Sequence, residues 1–93
     1  MSFTQESAVK RAKQDLAKRL KLGEGDITEG SVAKVDFPDM SLGAPAGDEM
    51  SAQMISTGWK IGLKAKGKSY EYRADKYQLR LKDFDGSNHV IVS

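Results

Sequence analysis

Four carboxylates, Asp36, Asp39, Asp48 and Glu49, fall close together in the middle of the chain. Paired carboxylates can divide the work of general acid and general base, or hold a hard cation such as Ca²⁺. Their spacing matches no calcium loop, and no further nucleophile or base accompanies them. They stand among Pro38, Gly43, Pro45 and Gly47, where acidic side chains commonly shape turns by bonding nearby backbone. The single histidine, His89, cannot build a histidine metal site or a histidine relay. It is expected at the surface or on an edge strand. With no cysteine, disulfides, thiolate zinc sites and cysteine nucleophiles are excluded. The expectation is a protein that is not an enzyme, with no metal and no cofactor.

Two other residue sets suit binding. The first is the stretch 38–57. Pro38 and Pro45 stiffen it, while Met40, Leu42, Met50 and Met54 offer adaptable apolar surface. A stiff loop loses less entropy on docking. The plainer reading is that Leu42 and the methionines fold back to close an open end of the domain, with Ser41 satisfying backbone groups. The second set is basic. Lys60 and Lys64 alternate with apolar residues along a strand, Lys66 and Lys68 flank the next turn, and Arg73, Arg80 and Lys82 extend the stripe. Such a face can hold phosphate groups. Base stacking would require exposed aromatics, but the alternation turns Trp59, Tyr70, Tyr72 and Tyr77 inward. Solvated lysines that protect a sheet from edge-to-edge pairing would give the same pattern. The leading expectation is therefore a non-enzymatic module that binds another protein through 38–57. The alternative is a weak nucleic-acid or polyanion binder using Lys60, Lys64, Lys66, Lys68, Arg80 and Lys82.

These candidates must be held by a small scaffold. Ninety-three residues, 39% apolar and 30% charged, make one globular domain. The net charge of +2 is segmented. Residues 1–22 and 58–82 are basic, 23–57 acidic, so opposite charges can meet within the fold or mark opposite faces. Val9, Ala12, Leu16 and Leu20 predict an amphipathic helix over about 4–22. Ser2 or Thr4 can cap it, Ser2 with Gln5 forming a capping box, and Gly23 suits a left-handed C-terminal seat. Strands are expected at about 27–37, 59–66, 68–75, 77–84 and 89–92, with a bulge near Gly30 and turns at Lys66-Gly67 and Asp85–Asn88. A short strand is also expected near Ala52–Ile55. The fold class is α+β: one helix packed on a four- to five-stranded antiparallel sheet in a two-layer sandwich. Inward candidates are Val9, Leu16, Leu20, Val35, Trp59, Ile61, Leu63, Tyr70, Tyr72, Leu79 and Leu81, leaving the other face basic and wet. No run is long enough to cross a membrane. The N-terminus lacks the apolar segment of a signal peptide. A cytoplasmic protein, or an exported one already trimmed of its leader, is expected. Oligomeric state is left open.

Three segments together resemble a family of small, mostly uncharacterised bacterial domains: Phe37-Pro38-Asp39-Met40-Ser41-Leu42-Gly43-Ala44-Pro45, Gly58-Trp59-Lys60-Ile61 and Tyr70-Glu71-Tyr72. The resemblance covers roughly residues 8–75 and implies a fold more than an activity. Many members carry cysteine after the loop glycine, where this chain has Ala44, so no disulfide role carries over. The helix-then-sheet order is also loosely similar to PepSY-type and cystatin-like modules, which inhibit or escort peptidases. That likeness implies a peptidase-inhibitor-like role as one form of protein binding.

Overall fold

The computed structural model describes residues 2–92. Helix α1 (Gln5–Leu20) is followed by a single 3₁₀ turn (Glu24–Asp26) and five strands. These are β1 (Thr28–Phe37), β2 (Ser56–Ala65), β3 (Lys68–Ala74), β4 (Leu79–Phe84) and β5 (Ser87–Val92). All neighbours are antiparallel and the sheet order follows the chain, β1-β2-β3-β4-β5. The α+β expectation holds, with five strands. No helix among the described residues is long and apolar enough to cross a membrane.

The ends of α1 differ in detail from the sequence expectation. Thr4, not Ser2, is the N-cap, and its box partner is Ser7. The Ser7 amide donates to Thr4 Oγ1 at 3.2 Å and the Thr4 amide to Ser7 Oγ at 2.8 Å. Two otherwise orphaned donors are thus satisfied. At the other end Lys21, not Gly23, takes the left-handed seat (φ 57°). The Leu22 amide then reaches back to the Ala17 carbonyl at 2.8 Å.

One face of the helix is fully spent on the sheet. Ala8, Val9, Ala12, Leu16 and Ala17, joined by Ile27, close on Ile61, Leu63, Ala65, Tyr72, Ala74, Leu79 and Leu81. The alanines at 8, 12 and 17 let the helix approach closely. Each large aliphatic side chain buried here contributes roughly 1.5–3 kcal/mol. Among the described residues one polar side-chain link crosses the layer. Tyr72 donates its hydroxyl to Asp15 Oδ2 at 2.7 Å, and Arg19 Nε meets the same oxygen at 2.7 Å. Burial, then the Asp15 hydrogen bond and charge, push the Tyr72 phenol well above its usual range. A buried tyrosine hydroxyl requires such a partner.

The register assigns every residue to a face. Ile61 pairs with Tyr72, and Tyr72 with Leu81, so these look toward the helix. Lys60 pairs with Arg73 and Arg73 with Arg80, so these look the other way. On β1, Val32 pairs with Ile61, whereas Ala33, Val35 and Phe37 pair with Lys60, Gly58 and Ser56. Val35 therefore lies half-buried on the second face and not in the helix-covered core. The register shift at Glu29/Ser31 places a bulge at Gly30, as the sequence indicates. The Lys66-Gly67 turn has both φ values positive (50° and 75°), as does Asp85-Gly86 (52° and 81°). Both are two-residue hairpin turns in the backbone that matches strand twist. The second is tighter than expected, so β5 begins at Ser87.

Gly58 has no room for a side chain. A Cβ there would collide with the carbonyl oxygen of Ala74. Tyr77, expected inward on a strand, stands in a turn. Asp75 Oδ1 accepts the amides of Tyr77 (2.8 Å) and Gln78 (2.9 Å), delaying β4 to Leu79 and turning the phenol ring outward. Trp59 and Tyr70 are half-buried at the margin of the core.

Candidate contact surfaces

The second face is not uniformly wet. Residues 38–49 lie against part of it, for reasons that begin at Asp39. Its Oδ1 accepts from the Ser41 amide (2.9 Å), the Ser41 hydroxyl (2.6 Å) and the Gly43 amide (3.1 Å). These bonds, the Ser41 hydroxyl foremost, hold the Asp39 carboxyl below its usual range. They wind the chain into a turn whose exit passes through two left-handed residues, Leu42 (φ 58°) and Gly43 (φ 67°). Glycine accepts that backbone freely; leucine does so at a cost. The turn drives Leu42 inward. Leu42, Ser41, Ala44 and Phe37 are all buried, outside the cluster that the helix closes.

The sheet grips this loop by its carbonyl oxygens. Arg73 Nη1 donates to the Leu42 carbonyl at 2.8 Å, its guanidinium 5.6 Å from the Phe37 ring centroid. Gln78 Nε2 donates to the Met40 carbonyl at 2.6 Å, and Arg80 Nη1 to that of Ala44 at 3.1 Å. Asn88 Nδ2 holds the Pro45 carbonyl at 2.9 Å. Arg80, 4% exposed, forms a two-pronged pair with Glu49. The Arg80 hydrogen bond, then the Ala46 amide, bring the Glu49 carboxyl down to about 2. Gln78 in turn accepts from Arg80 Nε (2.7 Å) and leans on Asp75, which also accepts from Ser56 Oγ (2.8 Å).

Three of the four carboxylates that drew attention in the sequence thus have structural partners. Asp39 shapes the turn, Glu49 neutralises Arg80, and Asp36 accepts from Thr57 Oγ1 at 2.7 Å. Asp48 is exposed in a turn. His89 sits on edge strand β5, its Nε2 3.1 Å from the Phe84 carbonyl oxygen.

The proposed partner-binding set is split by this geometry. Leu42 is buried and belongs to the loop's own core, so it offers no contact surface. Pro38 and Pro45 are exposed. Met50 projects alone into solvent. Met40 and Met54 do come together, and they are joined by two residues the sequence reading missed. Met40, Met54 (64% exposed), Ile55 (75%) and Tyr77 (70%) line one shallow concavity with Ser56, Thr57, Asp75 and Lys76. The signal for Tyr77 was present in Asp75, a turn-forming acid two residues earlier; the period-two alternation overrode it. Residues 52–55 are not a strand, although the Ala52 carbonyl accepts from the Met40 amide at 3.0 Å.

The basic set is also divided. Lys60 and Lys64 are exposed on the uncovered half of the second face. Lys66 stands in the hairpin turn. Lys68 pairs with Ala65 and so belongs to the helix-facing side. Arg80 is sealed beneath the loop and neutralised by Glu49, which removes it from any polyanion surface. Lys82 is half-buried, 3.4 Å from Asp83. The segregated charges of the sequence thus meet in part: acidic Glu49 pairs with basic Arg80 across the loop cover.

No curated protein and no solved structure matches this chain. The family described as Domain of unknown function (DUF8738) does, its model matching residues 9–81, and the chain belongs to that family.

Proposed function

We propose that this protein is a non-enzymatic binding module that contacts another protein through the concavity of Met40, Met54, Ile55 and Tyr77. One observation carries the reading. Among the described residues the large apolar side chains left exposed are Met40, Met50, Met54, Ile55, Tyr77 and Val90. All but Val90 lie in the 38–57 loop or in the turn beside it. Scattered apolar residues need no explanation, but a contiguous cluster marks a contact site. Methionine and tyrosine suit such a site, the first adaptable, the second rigid with a polar tip. The backbone beneath is pinned by Gln78 and Asp75, so little ordering is left to occur on docking. A peptidase-inhibiting form of this binding rests on likeness of architecture and is the narrower reading.

The test is quantitative co-purification from native extract with wild type, Ile55→Ser/Tyr77→Ser and Lys60→Gln/Lys64→Gln, each checked for fold by circular dichroism. A partner retained by wild type and by the lysine variant should fall at least about tenfold with the apolar variant, the scale of a lost hot spot. Equal retention by all three would sink the assignment of this patch.

A further inference from the structure

The uncovered half of the second face carries a different site. A groove of about 450 Å³ runs over Gly30, Ser31, Lys60, Gly62, Lys64 and Ser69. Its floor is backbone, because Gly62 on β2 lies between the two lysines and Gly30 occupies the bulge of β1 beside it. A Cβ on Gly62 would press on Ser31 Oγ at 3.0 Å, so the serine hydroxyl already leans over that floor. Ser69 pairs with Lys64 on the other side. Neither Lys60 nor Lys64 has a carboxylate within ion-pair distance among the described residues. Glu71, which also lines the groove, is turned to Arg73 at 2.6 Å.

We propose that this groove binds a phosphoryl group, seated over Gly62 between the ammonium groups of Lys60 and Lys64, with the hydroxyls of Ser31 and Ser69 as further donors. The two lysines lie four residues apart on one strand, about 13 Å between Cα atoms, so each is about 6.6 Å from the midpoint. A lysine side chain spans that distance. Both cations can therefore converge on a tetrahedral anion, for which Gly62 leaves room between them and beside the Ser31 hydroxyl. Charge-assisted donors are the strong ones for phosphate oxygens. Among the described residues Tyr70 is the aromatic residue at the groove, and it pairs with Leu63 and packs against the helix-covered core, so recognition is of the phosphate and not of what it is attached to.

The experiment is an amide-resolved NMR titration with inorganic pyrophosphate and, separately, octathymidylate, at low and moderate chloride. Saturable shifts are expected at Gly30, Ser31, Gly62 and Ser69. Affinity should weaken at least about tenfold in Lys60→Gln/Lys64→Gln and return in Lys60→Arg/Lys64→Arg. Both substitutions are at exposed positions, and an unchanged remainder of the spectrum confirms the fold. Tighter binding of octathymidylate would assign the phosphate to a nucleic-acid strand; equal or weaker binding would assign it to a small phosphorylated molecule. Shifts spread equally over Lys10, Lys18 and Lys21 of the helix, absence of saturation, or an affinity indifferent to the lysine variants would overturn the site.

Discussion

On one face of the sheet a helix supplies the cover; on the other, a loop does. The helix satisfies its own backbone groups internally, so it needs only to present side chains. Ala8, Val9, Ala12, Leu16 and Ala17 do this, and among the described residues a single polar side-chain link, Tyr72 to Asp15, crosses the layer. The loop has no such internal ladder. Its carbonyls at Met40, Leu42 and Ala44 would be orphaned against the sheet, and orphaned buried groups are costly. The second face accordingly places Arg73 and Arg80 where a helix-covered face would place leucine, and the turn before β4 adds Gln78. The same strands thus read apolar on one side and basic on the other because their covers differ in what they leave unsatisfied. Lysines further along the second face, where no loop lies, have no such duty.

The sharpest break of this comparison is on the helix side. Leu16→Ala should cost about 3–5 kcal/mol in urea denaturation, the range for an aliphatic residue removed from a core that cannot collapse. A loss under about 1 kcal/mol would mean that the helix is not the main seal. Leu42→Ala should cost less, about 2–3 kcal/mol, because the loop can settle. Here glycine separates packing from backbone. Leu42 sits at φ 58°, so Leu42→Gly should recover about 1 kcal/mol relative to alanine by relieving a left-handed conformation. Glycine proving worse than alanine would show that the turn is not strained and that Asp39 does not force it.

The polar half of the comparison has its own test in acid. The carboxyl of Glu49 sits at about 2 in the fold against 4.5 unperturbed. A depressed carboxylate contributes stability that is fully present above its unfolded value and is lost as pH falls through its folded value. Stability should therefore decline between about pH 4.5 and 2, and Glu49→Gln should flatten that part of the profile. Amides of residues 41–46 should lose exchange protection in that window before those of Ile61. If the core amides open first, Arg80 and Glu49 do not hold the cover.

How much of this was legible follows from periodicity. The helix stripe and the β2 and β3 alternation are repeating patterns, and they yielded the fold class, while the glycines at 30 and 67 marked the bulge and the Lys66-Gly67 turn. What the pattern could not say is which residues of the second face are sealed. Arg80 on β4 and Lys60 on β2 occupy equivalent phases, each paired with Arg73 of the strand between them, yet one is buried and the other exposed. The difference lies in a loop with no period, placed by the hydrogen bonds of one carboxylate, Asp39. Tyr77 failed for a related reason. Its phase within Tyr77-Gln78-Leu79 says inward, but Asp75 ends the strand period two residues earlier and resets it. Leu42 could be read both as contact and as closure because an apolar residue in an aperiodic loop carries no facing information.

The smallest expected effect bears on the third region, the apolar concavity at the margin of the loop cover, which shares only Met40 with it among its apolar residues. Tyr77→Ser and Ile55→Ser should each change stability by no more than about 0.5 kcal/mol, as exposed substitutions do. This is a strong statement for a tyrosine, since a packed ring is worth several times that. It follows from the turn: Asp75 fixes the backbone of Tyr77 and Gln78, so the ring is positioned without being packed. If Tyr77→Ser costs more than about 1.5 kcal/mol, the ring is part of the scaffold, and Met40 and Met54 are its packing partners. A near-zero cost leaves four large apolar groups held in place with no structural duty, which is the condition a contact surface must meet.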